Sequence, residues 1–236
     1  MLRIRTASHL HAETILTHDF TGEHQELLEA FGATSLPLRE AEPFTLTGRP
    51  TTPKRQRRGT RHILLPIDQA AWNLHLDQTL REAGWQSQPF VLGEPTGSAL
   101  DSYLQGDFAK NRVFVEVEFG NTASLFRDLF KFQIAGRSRV GDIGVLVVAS
   151  SNVARFFDSG VATFEQAVNL LPYMSIGIQL PIWIVGLDLD DWESVKSRYE
   201  QMYEVATANG VECYPFEEVW RAPIVDASGL ESASNP

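Results

Sequence analysis

The chain is 236 residues long, 43% hydrophobic and 21% charged, the proportions of an ordinary globular protein that can bury a substantial core in one domain. Its formal net charge of −10 excludes a protein that coats nucleic acid by bulk charge, but not one that meets DNA through a local basic segment. A single cysteine, Cys213, excludes an intramolecular disulfide or a cysteine zinc cluster and agrees with a reducing compartment.

No apolar run approaches the roughly 18 residues of a membrane span, and the opening MLRIRTASHLHAET lacks the apolar core of a signal peptide. A cytoplasmic protein with no membrane partner is expected. Residues 9–31 read as helix-rich, with Gly32 as a stop. His9 and His11 fall on different sides of such a helix, which favours solvated or hydrogen-bonded rings over a metal pair.

Residues 35–61 carry prolines, glycines and the run KRQRR without periodicity, so they read as a basic loop insertion. Two readings stay open for it: a solvated loop, or an arm whose Lys54, Arg55, Arg57, Arg58 and Arg61 meet duplex phosphates. Asp68 can cap a helix running to about Ala83, with Trp72, Leu76 and Leu80 on one stripe. A turn-rich link, QSQPFVLGEPTG, leads into the next strand.

Val113 to Phe119 is that strand, β-branched and aromatic, and its period of two puts Glu116 and Glu118 on one face with Val115 and Val117 on the other. Asp107 precedes Glu116 by nine positions. Paired acids on an apolar strand are costly to desolvate unless a cation sits with them, and carboxylate oxygens suit hard ions such as Mg²⁺. A solvated edge strand would show the same alternation. A glycosidase using Glu116 and Glu118 is also compatible with the spacing.

Thr122 or Ser124 can cap a helix over about Leu125–Ala135, whose apolar residues, Phe126 and Phe130 included, cover more than one face and predict deep burial. Strand 142–150, helix 163–171, strand 180–187 and an amphipathic helix 191–208 follow, and 222–236 reads as a flexible tail. Alternating strands and helices predict an α/β fold, a mixed central sheet flanked by helices in a single domain over 1–236.

The stretch DFAKNRVFVEVEFGN resembles the type II restriction endonucleases related to BglII, with BamHI and BstYI more distant. The likeness rests on the Asp107, Glu116 and Glu118 spacing, on Lys110 and Arg112 between the acids, and on Asn121 three past the last acid. GVLVVAS, VATFEQAVNLL, LPIWIVGL and the opening MLRIRTASHLHAETIL are similar as well, so the resemblance covers most of 1–187. It implies a restriction-endonuclease-like core and a homodimeric, Mg²⁺-dependent enzyme cutting double-stranded DNA at a palindrome, with no small-molecule cofactor. A catalytically silent DNA-binding protein on the same scaffold is the alternative, and retention of all three acids argues against it.

Residue by residue, the resemblance makes Asp107 and Glu116 the metal ligands and Glu118 a catalytic group, as in BamHI, where other enzymes of this fold carry Lys or Gln. Gln88, three past Trp85, matches an active-site Asn, although the spacing to Asp107 is longer here. Lys110 and Arg112 become phosphate contacts. Base contacts fall to Asn121 with the adjoining Gly120, which stands in place of Ser, and to the loop containing Asp158, Ser159 and Gly160. The helix near residues 68–83 is associated in the family with the dimer interface, core packing being the other reading.

Overall fold

Three runs rich in β-branched residues, β4 (Val113–Glu118), β5 (Ile143–Ala149) and β6 (Ile182–Leu189), lie parallel at the centre of a six-stranded sheet in the computed structural model. The structure describes residues 2–32, 37–46, 61–157, 160–174, 177–190 and 192–222. β5 and β6 are buried along their whole length, as strands covered on both faces are. β1 (Leu2–His9) runs antiparallel to β6, and β2 (Gln86–Ser87) and β3 (Phe108–Lys110) complete the order β1-β6-β5-β4-β3-β2. The sheet is therefore mixed, as expected.

The sequence pattern does not announce β1. Its eight residues pair with β6 from Leu2 opposite Leu189 to His9 opposite Ile182, yet an edge strand tolerates Arg3 and Arg5 on one face and Thr6 on the other, so its apolar signal is weak.

Alternate residues feed two cores. Val113, Val115, Val145, Val147 and Trp183 face α1 (Ala12–Asp19), α2 (Thr21–Gly32), α3 (Gln69–Glu82) and α7 (Glu193–Ala208). Phe114, Leu146, Val148 and Ile184 face α4 (Thr122–Arg137) and α6 (Phe164–Met174). Close packing on this second face needs Gly144 and Gly186, where a Cβ would come within 2.7 Å of the Phe132 ring and 2.5 Å of the Phe164 ring. Two short helices, α5 (Ser151–Ala154) and α8 (Phe216–Arg221), and a 3-10 turn at Asp101–Tyr103 complete the described elements.

The caps and faces bring two corrections. Asp68 caps α3 by accepting from the Ala71 N–H, as the sequence predicts, but α4 begins one turn early and is capped by Asn121 rather than Thr122 or Ser124. Phe126 and Phe130 are not buried: they are 55% and 64% exposed, because Leu125, Leu129 and Phe132 already fill the face turned to the sheet. Lys54, Arg55, Arg57 and Arg58 lie outside the described residues, as do Asp158, Ser159 and 223–236. Arg61, at the end of the basic segment, pairs with Glu218 of α8 at 3.1 Å. Among the described residues no helix is long and apolar enough to cross a membrane.

Candidate active site

The nine-residue spacing from Asp107 to Glu116 folds as a hairpin. Phe108 pairs with Val115 and Lys110 with Val113, and the turn is made by Asn111 and Arg112, both with positive φ. Extending that register by one brings Asp107 beside Glu116, and Asp107 Oδ2 accepts the Val117 N–H at 2.7 Å. Alternation along β4 then turns Glu116 and Glu118 toward the α4 side, with Phe114, while Val115 and Val117 pack on the other core. Both acids are inside: Glu116 is 1% exposed and Glu118 6%.

Buried carboxylates need partners, and α4 brings them. Lys131 Nζ lies 2.7 Å from Glu116 Oε2 and 3.0 Å from Asp128 Oδ1. Arg127 reaches Asp128 at 3.2 Å and Glu118 Oε2 at 3.6 Å, and the Gly120 N–H donates to Glu118 Oε1 at 2.6 Å. Glu116 Oε1 is buried with no hydrogen-bond partner among the described residues, and a Cβ on Gly106 would stand 3.0 Å from it. A glycine there leaves that oxygen room.

Sequence reasoning missed Arg127, Asp128 and Lys131. The available signal was a pair of opposite charges at i and i+3, Asp128 and Lys131, on the same stripe as Leu125, Leu129 and Phe132.

The electrostatics follow from burial. Desolvation pushes Glu116 well above the ordinary carboxylate range, and the neighbouring Asp107 charge adds to it. Asp107 is raised by its own burial, against the pull of the Val117 N–H. Glu118 is pushed up to about 7 by desolvation and by the nearby Asp128 carboxyl. Burial pulls the Lys131 ammonium down, but Glu116 and Asp128 outweigh it and leave it raised.

A cavity of about 200 Å³ opens beside this cluster, lined by Asp107, Arg127, Lys131, Gly106, Gln88 and Tyr103. Gln88 is thus brought to the site despite the longer spacing, its backbone N–H donating to the Asp107 carbonyl. Lys110 and Arg112 are not. Lys110 Nζ is committed to Glu26 and the Ala83 carbonyl, and Arg112 forms a forked pair with Asp142, so these side chains brace the hairpin rather than reach for phosphate. The reason is their place at the turn, the end of β4 opposite Glu118.

The two segments expected to read bases do meet. Thr122 N–H donates to the Gly160 carbonyl at 2.9 Å and Ala162 N–H to the Gly120 carbonyl at 3.0 Å, with Asn121 bridged to Val161. Asn121 and Gly120 are exposed there. Asn121 Oδ1 is held by the Ala123 N–H at 2.6 Å in the α4 cap, which leaves its amide NH₂ as the group that can face a ligand.

A family model described as restriction endonuclease BglII/BglIII matches residues 4–187, a segment that holds every acid of this site. The crystal structure of restriction endonuclease BglII complexed with a DNA 16-mer has a TM-score of 0.58 at 19% identity, over 80% of this chain and 78% of that one. The crystal structure of free BglII gives 0.52 at 20% identity, over 81% of each chain. No curated protein matches the chain. The structural likenesses show a shared fold, and the match over 4–187 shows the kinship: this chain belongs to the BglII/BglIII restriction endonuclease family, whose members are type II site-specific deoxyribonucleases.

Proposed function

We propose that the protein is a homodimer that uses Mg²⁺ to hydrolyse phosphodiester bonds in double-stranded DNA at a short palindrome centred on GATC. The observation that carries this reading is Glu116, a buried carboxylate beside a second one, with an oxygen that has no partner among the described residues and faces a bare glycine. Asp107 and Glu116 supply hard oxygen ligands of the kind Mg²⁺ takes. A bound divalent cation supplies charge stabilisation at the phosphoryl oxygens and a water of lowered pKa.

The chain's own groups do the rest. The Gly120 N–H fixes Glu118 through Oε1, leaving Oε2 to orient the attacking water and receive its proton. Arg127, at the rim of the cavity, takes the phosphate-binding role that the sequence suggests for Lys110 and Arg112. Gln88, which lines the same cavity, serves as a neutral hydrogen-bonding residue toward the scissile group. The amide of Asn121 donates to a base edge at the GATC centre, with Gly120 and Gly160 beside it; Ser159, outside the described residues, keeps the base contact that the sequence suggests for it. Lys54, Arg55, Arg57 and Arg58 contact backbone phosphates.

The dimer surface is the outer side of α4 and α6, where Phe126, Phe130 and Tyr173 are exposed in the same layer, rather than α3, which exposes Leu74. A twofold pair of sites cuts both strands and reads a palindrome.

Plasmid DNA incubated with Mg²⁺, and in parallel with EDTA, followed by sequencing of fragment ends, tests the reading. Discrete metal-dependent fragments with GATC-centred ends are expected. Binding without cleavage would defeat it, and palindromic ends lacking GATC would defeat only the role given to Asn121.

A further inference from the structure

We propose that Lys131 is the built-in counter-cation of the acidic site: it holds Glu116 while no metal is bound and competes with a divalent cation for that carboxylate. The proposal rests on Asp107 and Glu116 being the metal ligands.

The geometry carries it. Lys131 reaches from α4 onto the carboxylate of β4, with Nζ 2.7 Å from Glu116 Oε2 and its side chain only 7% exposed. An ammonium at that distance stands where a metal ligated by Glu116 must stand or adjoin. Two cations on one carboxylate in a shielded site repel strongly, so one must yield. Lys131 has somewhere to go. Asp128, one turn back on α4, is 3.0 Å from Nζ and gives the ammonium a second anchor, so the pairing with Glu116 can be given up without stranding a buried charge.

Charge balance argues the same way. Asp107, Glu116, Glu118 and Asp128 gather around Lys131 and Arg127, so the acids outnumber the bases until a divalent ion arrives. An ion pair serving packing alone would leave both partners satisfied. Glu116 instead keeps Oε1 without a partner among the described residues, beside the cavity that Lys131 lines.

The test is calorimetric titration of Mg²⁺ into the whole protein without DNA, for the wild type, Lys131→Met and Lys131→Gln. Removing an adjacent like charge should tighten Mg²⁺ binding by about tenfold or more in both variants. Unchanged or weaker affinity would mean that Lys131 supports Glu116 rather than competing for it, and would overturn the proposal. Glu116→Gln separates the premise: if it leaves wild-type Mg²⁺ affinity intact, the ligand assignment itself is wrong. Should neither lysine variant fold, the ¹⁵N resonance of the Lys131 ammonium in the wild type decides. It should move when Mg²⁺ is added, and a fixed resonance at saturating Mg²⁺ would overturn the proposal.

Discussion

Lys131 Nζ sits 2.7 Å from Glu116 Oε2, joining the buried stripe of α4 to the acidic face of β4. Around this ion pair lie the carboxylates whose loss should silence the enzyme. Asp107→Ala or Glu116→Ala should abolish cleavage while DNA binding persists or tightens, because an anionic repulsion is relieved. Glu118→Gln should slow cutting without stopping it. Gel-based cleavage and filter binding on one duplex measure both, and substantial cutting by either alanine variant would remove that acid from the mechanism.

Asn121 caps α4 and, on the proposed reading, also contacts a base, two roles that substitution can split. Asn121→Ala removes both the α4 cap, costing about 1 kcal/mol of stability, and the hydrogen bond to a base, costing roughly 1–3 kcal/mol of discrimination. Asn121→Asp keeps an oxygen for the Ala123 N–H but loses the amide donor. It should therefore melt like the wild type yet discriminate poorly between the cognate site and one-base variants. Wild-type selectivity in the Asp variant would take Asn121 out of base readout.

The exposed Phe126 and Phe130 offer a direct test of assembly. Phe130→Glu, alone or with Phe126→Glu, should shift the protein to monomer in sedimentation and convert double-strand cutting to slow, unpaired nicking. Because both rings are outside the core, the melting temperature of the monomeric fold should change little. A charged variant that remains dimeric would place the interface elsewhere.

Glu165 ties three elements: it accepts the Ser151 backbone N–H at 2.8 Å and the Ser151 hydroxyl, and pairs with Arg5 of β1. Burial pushes its carboxyl up, but Ser151 and Arg5 outweigh that and hold it below the ordinary value of 4.5. A depressed folded pKa contributes stability that is present above the unfolded value and is lost as pH falls through the folded one. Glu165→Gln should cost about 1 kcal/mol near neutrality, allowing for partial exposure. The gap between the two proteins should begin to close as pH falls below the ordinary value of 4.5. A gap that stays constant down to about pH 3 would show that the ionised form contributes nothing.

If Lys54, Arg55, Arg57 and Arg58 meet phosphates, neutralising them together should weaken binding to all sequences alike. The slope of log affinity against log salt should flatten by roughly 0.9 for each phosphate no longer neutralised. An unchanged slope would return this segment to solvent.

How much of this was legible beforehand depended on range along the chain. The alternation of Val113 to Glu118 is a local property, since successive side chains on a strand must face opposite ways, and it put Glu116 and Glu118 together before any fold was known. Asp107 joined them only through the family resemblance, the hairpin that sets it beside Glu116 being visible in the fold alone, while the central strands β5 and β6 announced themselves as unbroken apolar runs. β1, an edge strand with polar residues on both faces, left too faint a pattern.

Which cations would attend the acids was decided only by packing. Lys110 and Arg112 are nearer in sequence, yet the hairpin turn carries them to the far end of β4, where Glu26 and Asp142 take them up. Lys131 is 15 residues beyond Glu116 and arrives because α4 lies on the face of the sheet to which the alternation of β4 directs its acids. The same packing left Phe126 and Phe130 outside, although their composition alone reads as core. Sequence sets the direction of a side chain within its own strand or helix, whereas the meeting of two elements depends on which face each turns to the other, and that is a property of the assembled fold.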